Sequence, residues 1–164
     1  MLTGQIGLIP HPPGWVEHAI ETVTRSPVHH VVVAVSENHV VGADPAGATV
    51  HRVSDYPDAV WSHFGLTDQQ RHAIADWATG HVGTPYSFLD DAAIGVALLS
   101  GIPAPRWVQK RLSSDRHLQC AQLADAAYLA AGLHLFDDGR LPGAVYPGSF
   151  IHIWQQHGWW PSAD

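Results

Sequence analysis

The run Val28-His29-His30-Val31-Val32-Val33-Ala34-Val35 constrains this chain more than any other stretch. Val loses rotamer freedom in a helix and packs well on a pleated surface, so the run predicts a central strand. Ser26-Pro27 breaks the chain before it, and Ser36-Glu37-Asn38 turns it afterwards. His39 to Ala43 then predicts a returning strand, Asp44-Pro45-Ala46-Gly47 a second turn, and Ala48 to Val53 a third strand. Three strands joined by tight turns form an antiparallel meander. Gln5 to Ile9, stopped by Pro10, Pro12, Pro13 and Gly14, adds a short buried strand upstream.

The period changes from strand to helix after Tyr56. Thr67-Asp68-Gln69-Gln70 reads as a capping box that opens a helix running to about Val82. Phe88 to Leu99 is apolar and helical in pattern, and Leu118 to Ala131 carries Leu123, Ala127 and Ala131 on one stripe with Gly132 as its stop. Trp15 to Thr24 predicts an early helix and Phe150 to Gln156 a last short one. Strands gather early and helices late, which is the α+β class, an antiparallel sheet packed against helices. At 164 residues the chain has the length of one domain, residues 1–164.

Charge and composition exclude several functions. A formal net charge of −7 leaves no basic footprint for nucleic acid. The longest apolar stretch, Ala92 to Ile102, holds two glycines and is too short to span a bilayer, so no integral membrane segment is expected. The first residues show no basic region followed by an apolar run, so a classical signal peptide is not expected, and a cytoplasmic or phage-associated location is. The 13 histidines invite a metal, but there is no His-Glu-x-x-His motif and only one cysteine. No metal and no cofactor is expected.

That one cysteine, Cys120, falls at the start of the Leu118 to Ala131 helix. Free backbone N–H groups and the positive end of the helix dipole favour a thiolate there, and the same N–H groups can hold an oxyanion. A His on the central strand, opposite a helix-start Cys, is the arrangement that activates a thiol. Strand side chains alternate, so one of His29 and His30 is expected on the helical side, and His30 is the choice. Asp44, on the face of Gly42 across from the His30 strand, is the candidate to orient the imidazole; His39 and His51 are rivals. Each of these residues also has a plain reading, as a buried thiol, a core imidazole or an Asp-Pro turn starter.

The pieces Gln5-Ile6-Gly7-Leu8, Ser26 to Val31, Val40 to Gly47, Gly83-Thr84-Pro85-Tyr86 and Cys120 to Tyr128, in that order, resemble the circularly permuted papain-like amidohydrolases. These include NlpC-type cell-wall enzymes and the lecithin:retinol acyltransferase branch, in which the His strand precedes the Cys helix. The later stretch Ala131 to Arg140 with Pro147-Gly148 is similar to hydrolase-like proteins of actinobacteria and their phages. The resemblance implies a papain-like fold and a cysteine amidase or endopeptidase with Cys120 and His30 as the pair. Its substrate would be a peptide amide, most naturally in a peptidoglycan stem peptide. Tyr86 matches a family tyrosine that binds substrate or supports the oxyanion. Two positions depart from the family: Gly42 stands where it has Glu or His, and Ala121 where it has Ser after the Cys.

Two other functions compete. A lipid thioesterase or acyltransferase would use the same Cys and His, with an apolar groove near Ala92 to Leu99. A non-catalytic binding or structural module, such as a phage virion component, would keep Cys120 as a relic and need a phage or cell-wall assembly partner.

Overall fold

A computed structural model describes residues 1–10, 26–44, 47–84, 120–140 and 145–161. Five strands form one sheet: β1 (Ile6–Pro10), β2 (Val28–Ala34), β3 (His39–Asp44), β4 (Gly47–Arg52) and β5 (Val60–Trp61). Their order is β4-β3-β2-β1-β5, every pair antiparallel. The helices are α1 (Asp68–Gly80), α2 (Cys120–Ala130) and α3 (Ile151–Gln156), with 3₁₀ turns at Val53–Asp55 and Pro147–Phe150. The α+β class and the antiparallel sheet against helices are therefore observed. The helices expected at Trp15 to Thr24 and Phe88 to Leu99 lie outside the described residues. Among the described residues no helix is long and apolar enough to cross a membrane.

The valine run becomes β2, the middle strand, as β-branched residues on a doubly covered strand should. Val31 and Val33 point to the helix side with Ile6, Leu8, Val41 and Ala43, and α2 lays Leu123, Ala124, Ala127 and Tyr128 onto them. Val32 and Ala34 point the other way, into a smaller cluster with Ile9 and Val40, edged by Leu2, Tyr56 and Trp61. Each fully buried Val contributes roughly 1.5–3 kcal/mol, so the strand is fixed from both sides.

The helix ends follow their local chemistry. Thr67 caps α1, accepting from the Gln70 N–H at 3.2 Å while Gln70 Oε1 accepts from the Thr67 N–H at 2.9 Å. After α2 the chain turns at Gly132, whose φ of 74° lies in the left-handed region. Strand β5 has no sequence signal, because two residues are too few to show a period. It exists because β1 has a free edge: Gly7 pairs with Trp61 and Leu8 with Val60. Buried Gln5 pins the junction, taking the Ser62 hydroxyl at 2.7 Å and the Phe64 N–H at 3.0 Å on its carbonyl oxygen.

One irregularity decides where His29 lies. Along β1 and β2, Ile9 pairs with His30 but Pro10 pairs with Val28, so His29 is an extra residue in a β-bulge. Pro10 has no N–H to give a ladder, which suits it to the broken pairing.

Candidate functional site

The sheet places His30 and Cys120 on opposite faces. Gly42 pairs with Val32 on β3, and a Cβ built at Gly42 would stand 2.9 Å from His30 Nε2 and 3.1 Å from Val32 Cγ1. His30 therefore shares the face of Val32, the one turned away from α2. Cys120 is the first residue of α2, 5% exposed, and belongs to the core on the Val31 and Val33 side. The expectation that His30 faces the helical side is thus corrected. So is the expectation that His29 and His30 point apart: their ring centroids are 6.4 Å from each other and the rings nearly parallel at 28°. The bulge at His29 breaks the alternation on which the second expectation rested, while His30 keeps the face of Val32 and Ala34 along the regular part of the ladder.

The missing side chain at Gly42 has a positive consequence. The His30 ring leans into the space that a Glu or His would fill. Gly42→Ala is expected to swing the imidazole aside and to press on the buried Val32 methyl, at a cost of about 1–3 kcal/mol. The His30 ring resonances in an NMR spectrum should shift; unchanged resonances would contradict the geometry.

Asp44 ends β3, paired with Gly47. Extending the β2–β3 ladder two residues past Val32 and Gly42 sets the Asp44 backbone opposite His30. Its side chain and Tyr86 lie outside the described residues. Of the rivals, His39 is the first residue of β3, at the end away from Asp44, exposed, with Nδ1 3.3 Å from the Ser36 hydroxyl. Three residues of strand, about 10 Å, separate it from Gly42. His51 pairs with Val40 and so lies on the His30 face, its Nε2 2.7 Å from the Thr49 hydroxyl. Tyr56 stands between the two imidazoles, 6.0 Å from His30 and 5.8 Å from His51 by ring centroids. The structure thus assembles His30, Tyr56, His51 and Thr49 on the outer face and leaves Cys120 on the inner one. Among the described residues, no group of three or more His, Cys, Asp or Glu is arranged to hold a metal ion.

The sequence reading missed a second polar group on α2. Gln122 and Asp125 are three residues apart, on one side of an otherwise apolar helix, and are 2% and 4% exposed. That i, i+3 polar pair in Cys-Ala-Gln-Leu-Ala-Asp-Ala-Ala was the signal available. Burial pushes the Asp125 carboxyl up to about 6, against the pull of Arg140 and His134. The carboxylate is therefore costlier in the folded chain than in the unfolded one. Its penalty is absent below the unfolded value near 4 and complete above about 6. Asp125→Asn removes it, so the stability of the variant relative to wild type should rise as pH goes from 4 to 7.5. Urea midpoints at several pH values measure this, and a gap independent of pH would contradict it.

No family model matches the chain, and no curated protein matches it.

Proposed function

We propose that the chain is a cysteine hydrolase, an amidase or endopeptidase of the NlpC type, with Cys120 as nucleophile and a peptidoglycan stem peptide as substrate. The observation that supports this reading best is the position of Cys120, the sole cysteine of the chain, at the first described residue of a helix packed on the strand that carries His30. In the mechanism His30 takes the thiol proton, the thiolate attacks the amide carbonyl, backbone N–H groups at the helix start hold the oxyanion, and the imidazole protonates the leaving amine. Water then attacks the thioester and frees the acid.

This chemistry requires an imidazole on the helix face. The described ladder holds His30 on the outer face, paired with Ile9, so the mechanism requires a rearrangement of β2 that begins at the bulge beside it. Asp44 is the proposed orienting carboxylate and Tyr86 the proposed substrate contact.

Incubation of the whole chain with a defined stem tetrapeptide, followed by mass spectrometry, tests the reading. Release of two fragments with a new amine is expected; an intact peptide after prolonged incubation with native chain contradicts it. The separation of His30 from Cys120 by the sheet favours one second reading, a non-catalytic binding module. In that case, the same peptide would bind without being cut.

A further inference from the structure

The edge strand β4 leaves one residue of backbone open. Its ladder with β3 closes on Asp44 and Gly47, so Gly47, Thr49 and His51 turn their N–H and C=O groups toward β3. Ala48, Val50 and Arg52 turn theirs outward. The neighbouring hydrogen bonds follow this alternation. The Ala48 N–H donates to the Thr84 carbonyl and the Gly83 N–H donates to the Ala48 carbonyl, both at 2.8 Å, and the Val53 N–H donates back to the Asn38 carbonyl at 3.0 Å. The Arg52 N–H donates to Asp55 Oδ2 at 2.9 Å. Between these occupied positions, neither backbone group of Val50 has a hydrogen-bond partner among the described residues.

An open cleft of about 490 Å³ lies along this edge, lined by His39, Val50, His51, Arg52 and Asp55. The Val50 side chain is 48% exposed there. Upstream of Gly83 the chain coils into the end of α1, with the Val82 N–H on the Thr79 carbonyl at 3.2 Å, so it does not carry the pairing past Ala48. Arg52, two residues beyond Val50, projects from the same face. Its guanidinium makes no hydrogen bond or ion pair among the described residues, because the Asp55 carboxylate is turned to its backbone. From Ala48 to Arg52 the edge spans about 13 Å, room for three residues of an added strand. The β4 edge of a second copy does not fit. With the two Val50 residues opposite each other, Arg52 of each chain would meet Ala48 of the other, whose N–H and C=O are already taken by Thr84 and Gly83.

We propose that this edge binds an extended peptide segment in which an acidic residue stands two positions before an apolar one. Added antiparallel, the apolar residue lies opposite Val50 and exchanges both backbone hydrogen bonds with it. Its side chain packs on the exposed Val50, and the acidic side chain, opposite Arg52, accepts from the guanidinium. The antiparallel direction suits a one-residue opening, since a parallel strand would divide the two bonds between two of its residues. The site uses neither Cys120 nor His30 and stands apart from the hydrolase reading.

Titration of the full chain with the peptide acetyl-Glu-Thr-Val-Thr-amide, followed by amide NMR, tests this. Three further peptides run in parallel: one N-methylated at Val, one N-methylated at the Thr before it, and one with Lys in place of Glu. Saturable millimolar binding is expected, with the Val50 amide proton moving downfield. N-methylation at Val, which removes the N–H aimed at the Val50 carbonyl, should weaken binding about tenfold, and N-methylation at Thr, whose N–H points away, should leave it unchanged. The Lys peptide, and the Glu peptide on Arg52→Gln, should each bind about fivefold more weakly. A urea midpoint checks that Arg52→Gln is folded. Equal binding of the two N-methylated peptides, an unmoved Val50 amide, or no saturable binding would overturn the proposal. So would a Val50 amide that shifts with protein concentration alone, which would give the edge to a second copy.

Discussion

Trp154→Ala is expected to cost about 3–5 kcal/mol of stability, the range for deleting a large buried aromatic side chain. Trp154 is fully buried on α3. Its ring meets Phe150, Phe64 and Trp159 edge to face, at centroid distances of 6.0, 6.2 and 5.5 Å. Its indole Nε1 donates to the Val60 carbonyl at 2.9 Å, so one side chain joins the last helix to the two-residue strand β5. Truncation leaves a cavity among three rings and takes a partner from that carbonyl. Urea unfolding with an unchanged m-value measures the loss. Trp154→Phe, which keeps a ring but loses the hydrogen bond and part of the buried volume, should cost less than the Ala variant, roughly 1–3 kcal/mol. A loss below about 1 kcal/mol in the Ala variant would mean that α3 is not part of the cooperative core.

Cys120→Ala is expected to abolish peptide cleavage, with a fall in kcat/KM of at least about 10³, equivalent to some 4 kcal/mol of transition-state stabilisation. The substitution suits the site sterically, since Ala121 and Ala124 already line the same buried stretch of α2. Stability should change by less than about 1.5 kcal/mol, so lost activity reports chemistry and not unfolding. Cleavage kinetics and a urea curve on the same preparation separate the two. Retained cleavage in the folded variant would remove Cys120 from the mechanism.

The strand meander was legible because β-branched runs bounded by Ser, Pro, Asn and Gly admit few other folds. The edges of α1 were legible because a capping box is a local contract between Thr67 and Gln70. What the sequence could not disclose is the side of the sheet on which His29 stands, whereas His30 keeps step with Val32 and Ala34. A period of two predicts faces only while the ladder is regular, and the extra residue at His29 breaks it. Strand β5 was hidden for a different reason, since its pairing is imposed by the free edge of β1 rather than by any period of its own. The polar pair Gln122 and Asp125 was visible all along, but a helix read for its apolar stripe draws attention away from the exceptions on it.

The reactivity of Cys120 toward iodoacetamide, measured from pH 5 to 10 in wild type and in His30→Ala, tests the central claim most directly. An activated nucleophile predicts an alkylation rate that stays high well below the ordinary thiol pKa of about 8.5, and that falls to the ordinary profile in His30→Ala. A rate that rises only near that ordinary pKa, and is the same in both proteins, would contradict the hydrolase account and leave Cys120 as a buried side chain of the core.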